Sequence, residues 1–126
     1  MPNYDSQSFN PPAPLAKVII RNPETGAELS EIPMLLDTGA DVTLLPKDVI
    51  ELLGVTINSE SSYELIGFDG NASTTNVVSV TLVFQGKVFR GQFLLIDQSW
   101  GILGRNILNS IPLLFDGPQL VWNIHK

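Results

Sequence analysis

The 126-residue sequence contains no cysteine. Without thiols there is no disulfide framework, no thiolate nucleophile and no sulfur ligand set for a metal. Histidine is nearly as scarce, since the single one, His125, sits at the extreme end of the sequence. That removes histidine-based triads and the usual zinc sites. Positive charge is also thin, with 7 Lys and Arg against 13 Asp and Glu and a net charge of −6. Such a surface repels phosphate backbones, so nucleic acid is not expected as a partner. No apolar run is long enough for a transmembrane helix, and the start, "MPNYDSQSFNPPAPL", has neither the cationic residues nor the apolar core of a signal peptide. The expectation is a cytoplasmic protein that does not engage a membrane.

What is present suits one folded domain. The chain is 44% hydrophobic and 16% charged, which supplies a core without the charge excess of a disordered chain. Residues 1–14, with Pro11, Pro12 and Pro14, read as a flexible arm, and residues 15–126 as the domain. "LAKVII" and "LSEIPMLL" flank the turn "NPETGAE" as a hairpin ending at Asp37, and "VTLL" reads as a short buried strand. "PKDVIELLG" reads as a helix from Pro46 to Gly54 with Val49, Ile50, Leu52 and Leu53 as its apolar stripe. Two further hairpins follow, tipped by Gly67-Phe68-Asp69-Gly70 and by Gln85-Gly86-Lys87; "WGILG" is a short strand, "RNILNSI" a brief helix, and "LLFDGPQLVWNIHK" two strands around a turn. Many short strands with one or two helices predict a mainly β, barrel-like fold.

With thiol and imidazole gone, carboxylates lead the candidates for chemistry. In "MLLDTGAD" an ionisable Asp37 follows three apolar residues and precedes Thr38 and Gly39. Burial at the end of such a strand disfavours the charged carboxylate, which suits acid–base work. The plainer alternative is a strand-ending turn, with Asp37 and Thr38 bonding local backbone and Gly39 at positive φ.

Three segments in order, "LLDTGAD" followed by "VTLLP", the hairpin "LIGFDGN", and "ILGRNIL", resemble the retropepsins, the single-domain aspartic proteases related to retroviral proteases. The resemblance implies a closed, barrel-like acid protease fold that is active as a two-fold dimer, with a polypeptide substrate and no metal or cofactor. It makes Asp37 the catalytic residue, paired with its copy across the axis. It gives Thr38 a hydrogen bond across that axis, Gly39 close backbone approach to the carboxylate and substrate, and Asp41 a place in the cleft and a pairing with Arg105. Ile66, Gly67, Phe68 and Asp69 become the substrate-binding flap, and "QLVWNIHK" either an interface strand, such as the interleaved termini of retroviral relatives provide, or a core strand. Ala40 stands where a Ser or Thr would hydrogen-bond and further acidify the carboxylate, so only a mildly acidic pH optimum is expected.

Two other functions fit parts of the pattern. One is a catalytically silent retropepsin-like dimerisation or peptide-binding module, since a fold does not fix activity. The other is a phosphoaspartate enzyme, which the lack of an acidic residue two positions after Asp37 and of a phosphate loop makes a poorer fit.

Overall fold

The computed structural model describes residues 2–66 and 72–125, with 58–66 and 72–75 described by their backbone. Ten strands and two short helices run in the order β1 (Tyr4–Asp5), β2 (Ala13–Arg21), β3 (Glu28–Leu36), β4 (Leu44–Pro46), α1 (Lys47–Leu52), β5 (Asn58–Ile66), β6 (Ala72–Phe84), β7 (Lys87–Ile96), β8 (Gly101–Leu103), α2 (Arg105–Leu108), β9 (Leu113–Asp116) and β10 (Val121–Ile124). The strand–strand–strand–helix order predicted around Asp37 is present, and so is the late strand–helix pair.

The main sheet has the order β1-β2-β3-β8-β4-β7-β6-β5, and β2 also pairs with β6 through Ile19↔Val83 and Ile20↔Leu82. That second pairing closes β2, β3, β8, β4, β7 and β6 into a six-stranded barrel. Alternation fills it: Ala16, Val18 and Ile20 of β2, Met34 and Leu36 of β3, and Val78, Val80, Leu82 and Phe84 of β6 are all buried. Successive side chains on a strand point to opposite faces, so every second residue reaches the interior. Each large apolar side chain so buried contributes about 1.5–3 kcal/mol.

β8 is the strand that matters for the site. It lies between β3, to which it runs parallel in the register Leu35↔Ile102, and β4, which it meets antiparallel at Leu44↔Ile102. The loop from β3 to β4 therefore leaves and re-enters the barrel wall on either side of β8.

Helix α1 corrects one detail of the predicted stripe. Ile50 and Leu53 are buried, but Leu52 is 78% exposed. Two positions beyond Ile50 is about 200° around the helix, so Leu52 faces away from the barrel that Ile50 packs on.

The C-terminal hairpin forms as read, with β9 and β10 antiparallel in the register Phe115↔Trp122. Trp122 belongs to the core: it is 1% exposed, its ring lies 6.1 Å from that of Phe84, and its indole N–H donates to the Leu15 carbonyl at 3.2 Å. The segment expected as a flexible arm is tied to this region. β1 pairs with β2 through Tyr4↔Pro14, the Tyr4 amide donates to the Leu120 carbonyl, the Trp122 amide donates to the Pro2 carbonyl, and the Phe9 ring sits 5.0 Å from Trp100. Three prolines predict extension, but the chain bends back between Asp5 and Ala13 so that β1 lies antiparallel to β2; nor do the prolines disclose the distant backbone partners.

Candidate active site

The site is built on the loop between β3 and β4, residues 37–43. Its first residue is held by the sheet, because the Asp37 amide donates to the Leu103 carbonyl at 3.1 Å, one step beyond the last β3–β8 pair. The loop then turns tightly, with the Ala40 amide donating to the Asp37 carbonyl at 3.2 Å. Asp37 is half-buried, and its Oδ1 accepts the Gly39 amide at 2.9 Å. A bond of this kind fixes the direction of the carboxylate.

Gly39 is required here by proximity rather than by backbone angle. It is absent from the positive-φ glycines, Gly26, Gly54 and Gly86. A Cβ on it would stand 3.2 Å from Asp37 Oδ1, so a side chain would press on the very oxygen that its amide holds.

A second segment, from Gly104 into α2, clamps the loop from behind. The Arg105 amide donates to the Ala40 carbonyl at 2.8 Å, and the Arg105 guanidinium donates through Nη1 to the Thr38 carbonyl at 2.7 Å. Gly104 has no room for a side chain: a Cβ would lie 2.1 Å from the Val42 carbonyl oxygen and 3.0 Å from that of Ala40. Buried Thr43 completes the clamp, its hydroxyl donating to Asn106 Oδ1 at 2.7 Å and accepting the Gly104 amide at 3.1 Å.

The structure thus brings Asp37, Thr38, Gly39, Ala40 and Arg105 together. It differs over Asp41, which is exposed and forms no ion pair with Arg105; among the described residues the one ion pair is Arg21–Glu28 at 2.9 Å. The guanidinium is spent on the Thr38 carbonyl instead, which lies within the same turn. Ile66 ends β5 opposite Ala72 on β6, as a hairpin reading requires, while Gly67, Phe68 and Asp69 lie outside the described residues. Gly104, Thr43 and Asn106 are the site-building residues that the sequence reading did not single out. The available signal was a polar residue inside each apolar run, Thr43 in "DVTLL" and Asn106 in "LGRNIL".

Beside the loop lies a cavity of 170 Å³ lined by Val42, Thr43, Val77, Gln92, Leu94 and Asn106. Among the described residues no group of three or more His, Cys, Asp or Glu is placed to hold a metal ion, and no helix is long and apolar enough to cross a membrane.

Comparison with known proteins follows the same segments. Residues 24–107 match the family model described as aspartyl protease. Among solved structures, the chain is similar to EIAV protease complexed with the inhibitor HBY-793, at 27% identity and a TM-score of 0.57, over 78% of this chain and 86% of that one. Among curated proteins none matches. The mainly β closed barrel with two short helices is the fold of retroviral protease.

Proposed function

Because the chain belongs to the aspartyl protease family, we propose that it is an endopeptidase whose catalytic pair is Asp37 and Asp37 of the partner subunit in a homodimer. The observation that carries this reading is the single, half-buried Asp37 held by Gly39 on a clamped loop, in a sequence with no second Asp-Thr-Gly or Asp-Ser-Gly. One such carboxylate is half of an acid–base pair, and a two-fold contact supplies the other half.

Two carboxylates at close range share one proton and titrate as a pair. The ionised member takes a proton from a water whose oxygen attacks the peptide carbonyl carbon. The protonated member gives its proton to the carbonyl oxygen, so the tetrahedral intermediate is a neutral diol. The newly protonated carboxyl gives its proton to the peptide nitrogen, the C–N bond breaks as one diol hydroxyl returns a proton to the ionised partner, and a carboxylic acid and an amine leave with the pair again sharing one proton. The Gly39 amide keeps the Asp37 carboxylate aimed throughout, and the Arg105 contact holds the carbonyl of Thr38, the residue that would bridge the two loops across the axis.

The substrate is an extended polypeptide. It would lie across the loop with the backbone of the β5–β6 hairpin beside it as an added strand. Ile66, Gly67, Phe68 and Asp69 are the flap residues in this reading, and Asp41 lies at the cleft edge. The cavity beside the loop, walled by Val42, Val77 and Leu94, suits an apolar substrate side chain.

The test compares wild type with Asp37→Asn on a mixed peptide library from acidic to neutral pH, with and without chelator. Cleavage by wild type alone, indifferent to chelator, is the expected result. A dimeric wild type that cleaves nothing at any pH would leave a peptide-binding or dimerisation module instead.

A further inference from the structure

β6 changes partners along one of its edges. The first edge pairs with β7 throughout, from Val77 to Phe84. The second pairs with β5 as far as Val77, which faces Asn58, and with β2 from Thr81, which faces Arg21. Among the described residues no strand pairs with residues 78–80 on that side. At this gap lies a cavity of 190 Å³ walled by Asn22, Glu24, Thr56, Val77, Ser79 and Gln92.

One buried side chain ties its two flanking walls together. Asn22, just past the end of β2, is 3% exposed; its Nδ2 donates to the Leu53 carbonyl after α1 at 3.0 Å, and its Oδ1 accepts the Glu24 amide at 2.9 Å. The turn that carries Glu24 and the segment that leads to Thr56 are thus fixed before anything binds. Ser79 and Gln92 are exposed cross-strand partners. They stand on the outer face, since their neighbours Val78, Val80 and Phe93 are buried, and they form the floor.

We propose that this cavity is an accessory substrate site for a cationic side chain, Lys or Arg, two residues farther from the scissile bond than the apolar side chain held beside the Asp37 loop. This rests on the endopeptidase reading of that loop and names a substrate class for it.

Charge selects the ligand. Glu24 is the one ionisable side chain on the walls, it is exposed, and among the described residues it is in no ion pair. Neighbouring Arg21 is engaged by Glu28 at 2.9 Å, and Arg90, opposite Thr81, stands outside the lining. Thr56, Ser79 and Gln92 add neutral oxygens that can accept the several N–H groups of a guanidinium or an ammonium.

Spacing selects the position. Val77 and Gln92 also line the 170 Å³ cavity beside the loop, so the two cavities share a wall. Val77 pairs with Leu94 under the first, and Ser79 with Gln92 under the second. These pairs are two residues apart, about 7 Å along a strand. An extended peptide repeats its side chains on one side at the same interval, so one substrate reaches both cavities.

The test has a binding arm and a cleavage arm. NMR titration of Asp37→Asn uses acetyl-Arg-Ala-Leu-amide and acetyl-Leu-Ala-Arg-amide, each beside its counterpart with Glu in place of Arg. One Arg peptide should move the Ser79 and Gln92 amide signals and its Glu counterpart should not; no movement with either Arg peptide overturns the proposal. Glu24→Lys should reverse the preference, whereas Glu31→Lys, an equal change of net charge at an exposed position of β3, should leave it. Reversal by both variants would mean a general charge effect and overturn the site. In cleavage, wild type should favour Arg over Glu at this position by at least about 3-fold in kcat/KM, carried by KM, and Glu24→Lys should invert the ratio. Cleavage with no such preference defeats this inference alone. Arg-selective binding by a wild type that cleaves nothing defeats the protease reading alone.

Discussion

The Thr43 hydroxyl and Asn106 Oδ1 stand 2.7 Å apart, joining the end of the Asp37 loop to the first turn of α2. The same hydroxyl accepts the buried Gly104 amide, so one buried side chain joins that amide to the exposed Asn106. Thr43→Val keeps the shape and leaves the buried Gly104 amide without its partner. The expected loss is about 1–3 kcal/mol, read as a lower urea midpoint, whereas Thr43→Ser, which keeps the hydroxyl, should cost less than about 1.5 kcal/mol.

Gly39→Ala and Gly104→Ala should separate chemistry from folding. At Gly104 a methyl meets backbone oxygen at 2.1 Å, and backbone cannot step aside, so unfolding at ordinary temperatures or a loss above about 3 kcal/mol is expected. At Gly39 the obstacle is the Asp37 carboxylate at 3.2 Å, which can rotate. Gly39→Ala should stay folded, with a thermal midpoint close to wild type, and lose most of kcat. Equal destabilisation of the two variants would contradict this division.

Ala40 gives the carboxylate no hydroxyl donor, and its backbone is already engaged by Asp37 and Arg105. Ala40→Ser adds a hydroxyl at this position that can donate to the carboxylate. The acid limb of the kcat/KM profile should move to lower pH, and the wild-type optimum should be only mildly acidic. An acid limb that stays in place in the Ser variant would remove this explanation.

Asp5 offers a pH test remote from the site. Its Oδ1 accepts amides from Ser8 and Gln7, and these bonds hold its carboxyl below the ordinary value of 3.8. A folded-state value below the unfolded one means that the contribution is present above pH 3.8 and fades as pH falls through the folded value. NMR titration should place Asp5 under 3.8, and Ser8→Pro, which deletes one donor amide, should raise it.

The loop at Asp37 was legible because its signals are local. Alternating apolar residues feed β3, and Asp-Thr-Gly ends it in a turn whose bonds run between near neighbours. The barrel order was partly legible for the same reason, since each hairpin carries its own turn residues. What escaped depends on distant pairs. Thr43 sits among apolar residues in a strand-like run, where a β-branched residue is ordinary filler, and only the approach of Gly104 makes its hydroxyl a hub. Arg105 was given the wrong partner: charge points to Asp41, but the guanidinium reaches a carbonyl in the same turn. Leu52 looked like core because a short helix shows too few turns to fix its buried face. The N-terminal prolines announce extension and are silent about Leu120 and Trp122.

Residues 2–4 and 120–122 lie side by side, so the two ends of the described chain emerge at one place on the surface. A chain of this kind can be cut and rejoined without redrawing its map. Linking residue 125 to residue 2 through a short Gly-Ser segment and opening the chain at the exposed Gln85-Gly86 turn would give a circular permutant that breaks no barrel pairing. The order in which the strands are synthesised would then change while the order in which they lie would not.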